Sequence, residues 1–101
     1  MFDDGRGVAP GSRYFRGLRP HRPVWVDLGK VYRLGPPRAV IPDGLDLQAT
    51  VPGELAMWHA TTTGHWVGWV RFKIHDGHGG APAGQWVPGD AIEPRREGTT
   101  R

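Results

Sequence analysis

Apolar and polar positions alternate along several short stretches of this chain, and nowhere do they recur at the three-and-four spacing of a capped amphipathic helix. In "PVWVDLGKVYRLG", Val24, Val26 and Leu28 alternate with Trp25 and Asp27, the period of a strand. Gly29-Lys30 interrupts that pattern, and Val31 to Leu34 continue extended. "GPPR" then breaks the chain, because two prolines remove two ladder donors. "AVI" and "LDLQATV" read as short strands separated by the turn "PDG", and "VPGE" is a second turn leading into residues 55–61. "TTTGH" turns again into residues 66–74, the loop "HDGHGGAPAG" follows as a mobile segment, and "QWVP" opens a last short strand. The pattern predicts an all-β chain of about five short strands. Turns at near-regular spacing suit a small barrel, whose closure leaves no sheet edge exposed.

The stretch "WHATTTGHWVGWVRFKI" carries three of the five tryptophans and is where parity says most. On its second strand Trp66, Gly68, Val70, Phe72 and Ile74 share one face, while His65, Val67, Trp69, Arg71 and Lys73 share the other. The first set is apolar, so it faces the core. A loop of two or four residues centred on Thr63-Gly64 sets Leu55 opposite Phe72, Met57 opposite Val70, Trp58 opposite Trp69 and Ala56 opposite Arg71. A three-residue loop would set Glu54 opposite Phe72 and bury a carboxylate beside a ring, so the first register is expected. It places Trp58 and Trp69 together outside, as cross-strand packing or as an aromatic platform flanked by Arg71 and Lys73.

Length and composition narrow the picture. At 101 residues the chain has room for one domain, with a thin core in which each large aromatic counts. It has no cysteine, and so neither a disulfide framework nor a thiolate zinc site. The start "MFDDGRGVAPGSR" lacks the apolar stretch of a secretory signal, and no apolar run is long enough to span a bilayer. The expected location is the cytoplasm, with no membrane partner. The net charge of +3 divides as +3 over residues 1–23, −1 over 24–92 and +1 over 93–101. All of the excess therefore lies in the ends, which weakens any case for a phosphate-gripping barrel surface. Eleven arginines against two lysines, with no asparagine, point to a GC-rich bacterial coding sequence. Residues 1–23 read as a disordered Arg/Gly/Pro-rich arm, residues 24–94 as the barrel and residues 95–101 as a flexible tail.

Three pieces of the chain resemble a known family. "PGELAMW", "TGHWVGWVRF" and "GQWVPGDAIEP" are similar to the C-terminal two-thirds of the SH3-like barrels, over about residues 53–94. In that family a Gly-acid-apolar segment leads through a hairpin to a tryptophan pair, and a Gly-x-aromatic-Pro element starts one turn of 3₁₀ helix before the last strand. The resemblance implies an SH3-like barrel. It also implies that a proline-rich peptide groove of the usual kind is missing. Ala91 stands where the family has a groove tyrosine, the first-Trp place falls on His65 or Trp66, and Tyr32 alone is left for the early tyrosines. Pro88 is the groove position that matches. The fold by itself names no function.

Candidate chemistry is sparse. His75-x-x-His78 sits in a Gly-rich loop, and His59 or His65 would have to supply a third metal ligand, but the expected register puts His59 inside and His65 outside. The one serine, Ser12, lies in the arm, the threonines of residues 61–63 lie in a turn, and no glycine string has phosphate-loop spacing. No catalytic residue, metal site or cofactor is expected. The sequence reads as a non-enzymatic interaction module that takes a protein partner through Trp58, Trp69, Arg71, Lys73 and Pro88. The alternative is a nucleic-acid-binding accessory protein using Arg6, Arg13, Tyr14, Arg16, Arg19 and Arg22.

Overall fold

The computed structural model describes residues 13–96. The protein is all-β: β1 (Phe15–Asp27), β2 (Thr50–Ala60), β3 (Trp66–Ile74), β4 (Ala81–Pro88) and β5 (Ile92–Pro94) form one antiparallel sheet in the order β4-β3-β2-β1-β5. One helical turn, α1 (Leu28–Val31), follows β1, and a 3₁₀ turn at Gly89–Ala91 precedes β5. The sheet curls into a half-barrel around Val24, Val26, Leu28, Val51, Leu55, Val70, Phe72, Ile74, Val87 and Ala91. It does not close: β4 and β5 end the strand order, and β4 carries Pro82 and Pro88, residues that an edge strand tolerates because its outer donors need no partner.

The reading of residues 1–23 as a disordered arm is corrected for Phe15 to Pro23, which form the first nine of the 13 residues of β1. Their polar side chains need no core, because β2 supplies the backbone pairing: Phe15 lies opposite His59, Arg16 opposite Trp58 and Gly17 opposite Met57. Leu18 packs against the core, and Tyr14 accepts a hydrogen bond from the Ala60 amide (3.0 Å). The register slips between Gly17 and Arg22, so this half of the strand bulges away from β2 before it rejoins. The tail reading is likewise corrected at Arg95. Its amide donates to Pro23 O, its Nε to Val24 O, and its Nη2 to Gly53 O and Glu54 Oε2.

Between β1 and β2 the chain departs from the extended pattern. Asp27 caps α1, its Oδ1 accepting from the Gly29 amide at 3.0 Å, so Gly29-Lys30 makes a helical turn rather than an interruption within a strand. The segment "AVI" forms no strand: Val40 and Ile41 stand 91% and 71% exposed in a long loop tied down by the Asp46 amide donating to His75 O. "VPGE" lies inside β2 rather than in a turn. Pro52 fits there because the β2–β3 ladder begins only at Gly53. The loop read as mobile is shorter than expected. Asp76 Oδ1 accepts from the amides of His78 and Gly80, and residues 81–84 already belong to β4.

The β2–β3 register differs from the expected one. The turn has three residues, closed by the Thr61 amide donating to His65 O at 2.7 Å, with Gly64 at φ 86° in the left-handed position that this loop needs. Thr61 Oγ1 accepts from the amides of Thr63 and His65 and reinforces it. Met57 therefore lies opposite Trp69, Trp58 opposite Gly68 and His59 opposite Val67. A bulge at Ala56 then shifts the ladder by one residue, so that Leu55 faces Val70, Glu54 faces Arg71 and Gly53 faces Phe72. The buried carboxylate that argued against a three-residue loop does not arise, because the bulge returns Glu54 to the outer face.

Deleting Ala56 removes the bulge and leaves a regular ladder, with Leu55 opposite Val70, Met57 opposite Trp69 and every other side chain on its present face. The domain should stay folded at a cost of about 1 kcal/mol, the lost burial of one methyl group. Urea denaturation followed by tryptophan fluorescence measures it.

Candidate binding face

The bulge sorts the tryptophans. Trp58 and Trp66 fall on the inner side, at the open end of the half-barrel, where they line a recess of about 400 Å³ with Arg16 and Gly89. Trp58 fits because Gly68 opposite it has no side chain; a Cβ there would meet Leu55 Cδ1 at 2.6 Å and Trp58 Cζ3 at 3.4 Å. Trp66 belongs to the apolar parity of β3 but is 39% exposed, since the strand begins beyond the packed core. The expectation that Trp58 faces Trp69 is thus corrected: Trp69 pairs across the other ladder, with Trp86 of β4.

Trp69 and Trp86 meet edge to face, ring centres 5.3 Å apart at 76°. His59 continues the row against Trp86 (6.2 Å), and Phe15 packs edge-on to His59 at 5.8 Å. His59 is therefore on the outer face, not inside. Its Nδ1 lies 2.8 Å from Ala60 O. This aromatic row crosses four strands on the face turned away from the core, and it stabilises the sheet by roughly 0.5–1.5 kcal/mol per ring pair beyond burial. The parity argument missed Trp86 and His59 because it considered one hairpin alone. Trp86 holds the same outward parity on β4, a signal present in the sequence as soon as β3 is paired with β4.

Beside the row lies an open cleft of about 430 Å³ lined by Trp69, Arg71, Pro82, Ala83 and Gly84. Gly84 sits opposite Arg71 and forms the floor: an added Cβ would lie 3.6 Å from Trp69 Cζ2 and 3.7 Å from Arg71 Cγ. Lys73 lies two residues further on the same face, opposite Pro82, and Pro88 closes the other end opposite Val67. Of the residues expected to take a protein partner, Trp69, Arg71, Lys73 and Pro88 share this outer face and Trp58 does not.

The residues of the nucleic-acid alternative are spread along β1 and ahead of it. Arg6 lies outside the described residues. The Arg13 guanidinium lies over the Tyr14 ring at 4.9 Å, Arg16 reaches the Trp58/Trp66 recess, and Arg19 and Arg22 are exposed on the bulged half of the strand. Among the described residues no three His, Cys, Asp or Glu side chains converge on a metal-sized site, and no helix is long and apolar enough to cross a membrane. No family model, curated protein or solved structure matches the chain.

The two faces predict different couplings. A double-mutant cycle of Trp69→Ala with Trp86→Ala should return about 0.5–1.5 kcal/mol of interaction, whereas Trp58→Ala with Trp86→Ala should be additive, since those rings lie on opposite sides of the sheet. Urea midpoints of the single and double variants decide it.

Proposed function

We propose that this chain is a small non-enzymatic SH3-like interaction module that captures another protein on its outer face, around Trp69. The observation that carries the reading is the open cleft beside the Trp69–Trp86 pair, floored by Gly84 and rimmed by Arg71. Aromatic rings held rigid by a neighbouring ring, with a guanidinium at the rim, are the side chains that dominate protein interfaces. The SH3-like assignment draws support from the strand order and from the 3₁₀ turn that Pro88 caps before β5. Tyr32, the one early tyrosine, spends its hydroxyl on Gln85 Oε1 (3.0 Å), which argues against a proline-rich ligand in the family's usual groove. On this reading the protein works in the cytoplasm, and its Arg-rich, Asn-free composition supports a bacterial source.

Trp69→Ala should weaken partner capture by about 30-fold, the loss of an anchor contributing ~2 kcal/mol, while the domain stays folded. Gly84→Val should do the same by filling the cleft, because its Cβ makes only ordinary contacts. Pull-down of the native partner alongside circular dichroism separates binding from folding. Undiminished capture by both folded variants would end the reading.

A second reading has its own observation: the recess at the open end sets Arg16 beside Trp58 and Trp66, a cation with two stacking faces. A nucleic-acid partner would sit there. Truncation of residues 1–23 does not test this, because it removes most of β1. A mobility shift of oligothymidylate at low and high salt, with wild-type protein and Arg16→Glu, does. The reading predicts a salt-sensitive complex that the variant loses.

A further inference from the structure

Three basic residues of the described barrel surface are held by partners, and the two beside the cleft are not. Arg33 pairs with Asp90 (3.5 Å), Lys30 donates to Asp90 O (3.3 Å), and Arg95 is held by Glu54 at 3.1 Å and by three carbonyls. Arg71 and Lys73 make no hydrogen bond or ion pair with any described residue. The absence is built in. Glu54 is the cross-strand neighbour of Arg71, the position from which a carboxylate would neutralise it, yet its side chain is drawn to Arg95 on the other side of β2. Asp76, beyond the end of β3, is turned into its own loop by the amides of His78 and Gly80. A strand that presents Trp69, Arg71 and Lys73 in sequence along one face thus offers an indole and two unneutralised cations beside an open floor.

We propose that the ligand of this cleft is an acidic, extended peptide segment that lays an apolar side chain on Trp69 and two carboxylates on Arg71 and Lys73. The inference rests on the protein-binding reading of the same face and adds the partner's chemistry. Spacing selects the class. Arg71 and Lys73 are two residues apart on a strand, about 6.8 Å, which is also the separation of alternate side chains in an extended peptide. An acid-x-acid segment therefore meets both cations in register, with its apolar residue two positions further along. Two cations suit a short acidic peptide better than a polynucleotide, whose affinity comes from neutralising many phosphates along a tracked backbone. Sheet geometry agrees, since the cleft lies over β3 and the edge strand β4, where an extended segment can lie along the strands.

Selection from a randomised peptide library displayed on phage, against wild-type protein, Trp69→Ala and the double variant Arg71→Glu/Lys73→Glu, tests this. Each variant is first checked for a wild-type circular dichroism spectrum, with Gly84→Val standing in for Trp69→Ala if that variant does not fold. Wild-type protein should enrich segments with acids at alternate positions and an apolar residue two positions further. The charge-reversed variant should bind those segments about tenfold more weakly, the loss of two exposed ion pairs, and enrich basic ones instead. Enrichment of neutral or basic segments that Trp69→Ala abolishes would overturn the acidic ligand and leave the cleft reading intact. Enrichment that survives Trp69→Ala and Gly84→Val would overturn both, as would no enrichment over a blank surface. Displacement of the selected peptides by oligothymidylate at equal concentration would overturn the peptide in favour of nucleic acid.

Discussion

One extra residue in β2 decides which side chains this protein shows to solvent. Side chains alternate along a strand with period two, so a strand paired at both ends can keep its core face only if the register implied by its turn agrees with the register implied by its far end. Here they disagree by one. The three-residue turn after Thr61 sets one register, and the core contacts of Val51, Gly53 and Leu55 require the other. Ala56 absorbs the difference, and it is small enough to be buried next to Leu55. Everything outward-facing follows: Trp58 turns in against Gly68, Met57 and His59 turn out, and Trp69 is left to find its aromatic partner on β4.

The same device arranges the charges. Because the bulge lies between Glu54 and Met57, Glu54 keeps the outer parity of the Arg71 row while remaining close to β1 and β5. Arg95 comes from the end of β5 over the Trp25 ring, bonded to the carbonyls of Val24 and Gly53, and meets Glu54 there. An arginine fixed by carbonyl bonds loses little further entropy in forming an ion pair, so it competes well against a cation that would have to be immobilised for the purpose. Glu54 with Arg95 is therefore the favoured pair, and Arg71 stays available.

Much of the fold was legible in the sequence. The alternation of Val24 and Val26 and the apolar parity of β3 lie where the pattern put them, and the Pro88 element with its following turn lies where the family resemblance implied it. What escaped has physical causes. A bulge leaves no periodic trace, since one inserted residue looks the same as a different choice of register, and the choice made on one hairpin then propagates to every outward residue. Phe15 to Pro23 read as disordered because they carry only Phe15 and Leu18 as sizeable apolar side chains. A strand beside an established neighbour, however, is held by backbone bonds and a few anchors such as Leu18 and the Phe15–His59 contact. "AVI" was read as a strand on β-branched content alone, yet propensity without a neighbouring strand to pair with leaves Val40 and Ile41 in a loop. Parity on one strand put Trp69, Arg71 and Lys73 outward, and Pro88 came from the family resemblance. Trp86 and Gly84, which complete the cleft, depend on how β3 meets β4.

The half-barrel also explains why the cleft is where it is. A closed barrel has no preferred side, but here β4 ends the sheet and carries Gly84 on its outer face between its two prolines. Prolines at 82 and 88 blunt the edge against another strand, as unprotected edges invite unwanted pairing. At Gly84 the outer surface of β4 is low beside the taller side chains of β3. A step between Trp69 and Arg71 on one strand and Gly84 on the next is thus a consequence of edge protection as much as of recognition. On the proposed reading, what suits the step to an acidic ligand is the lack of a counter-charge beside Arg71, and that follows from where Glu54 is sent by the bulge.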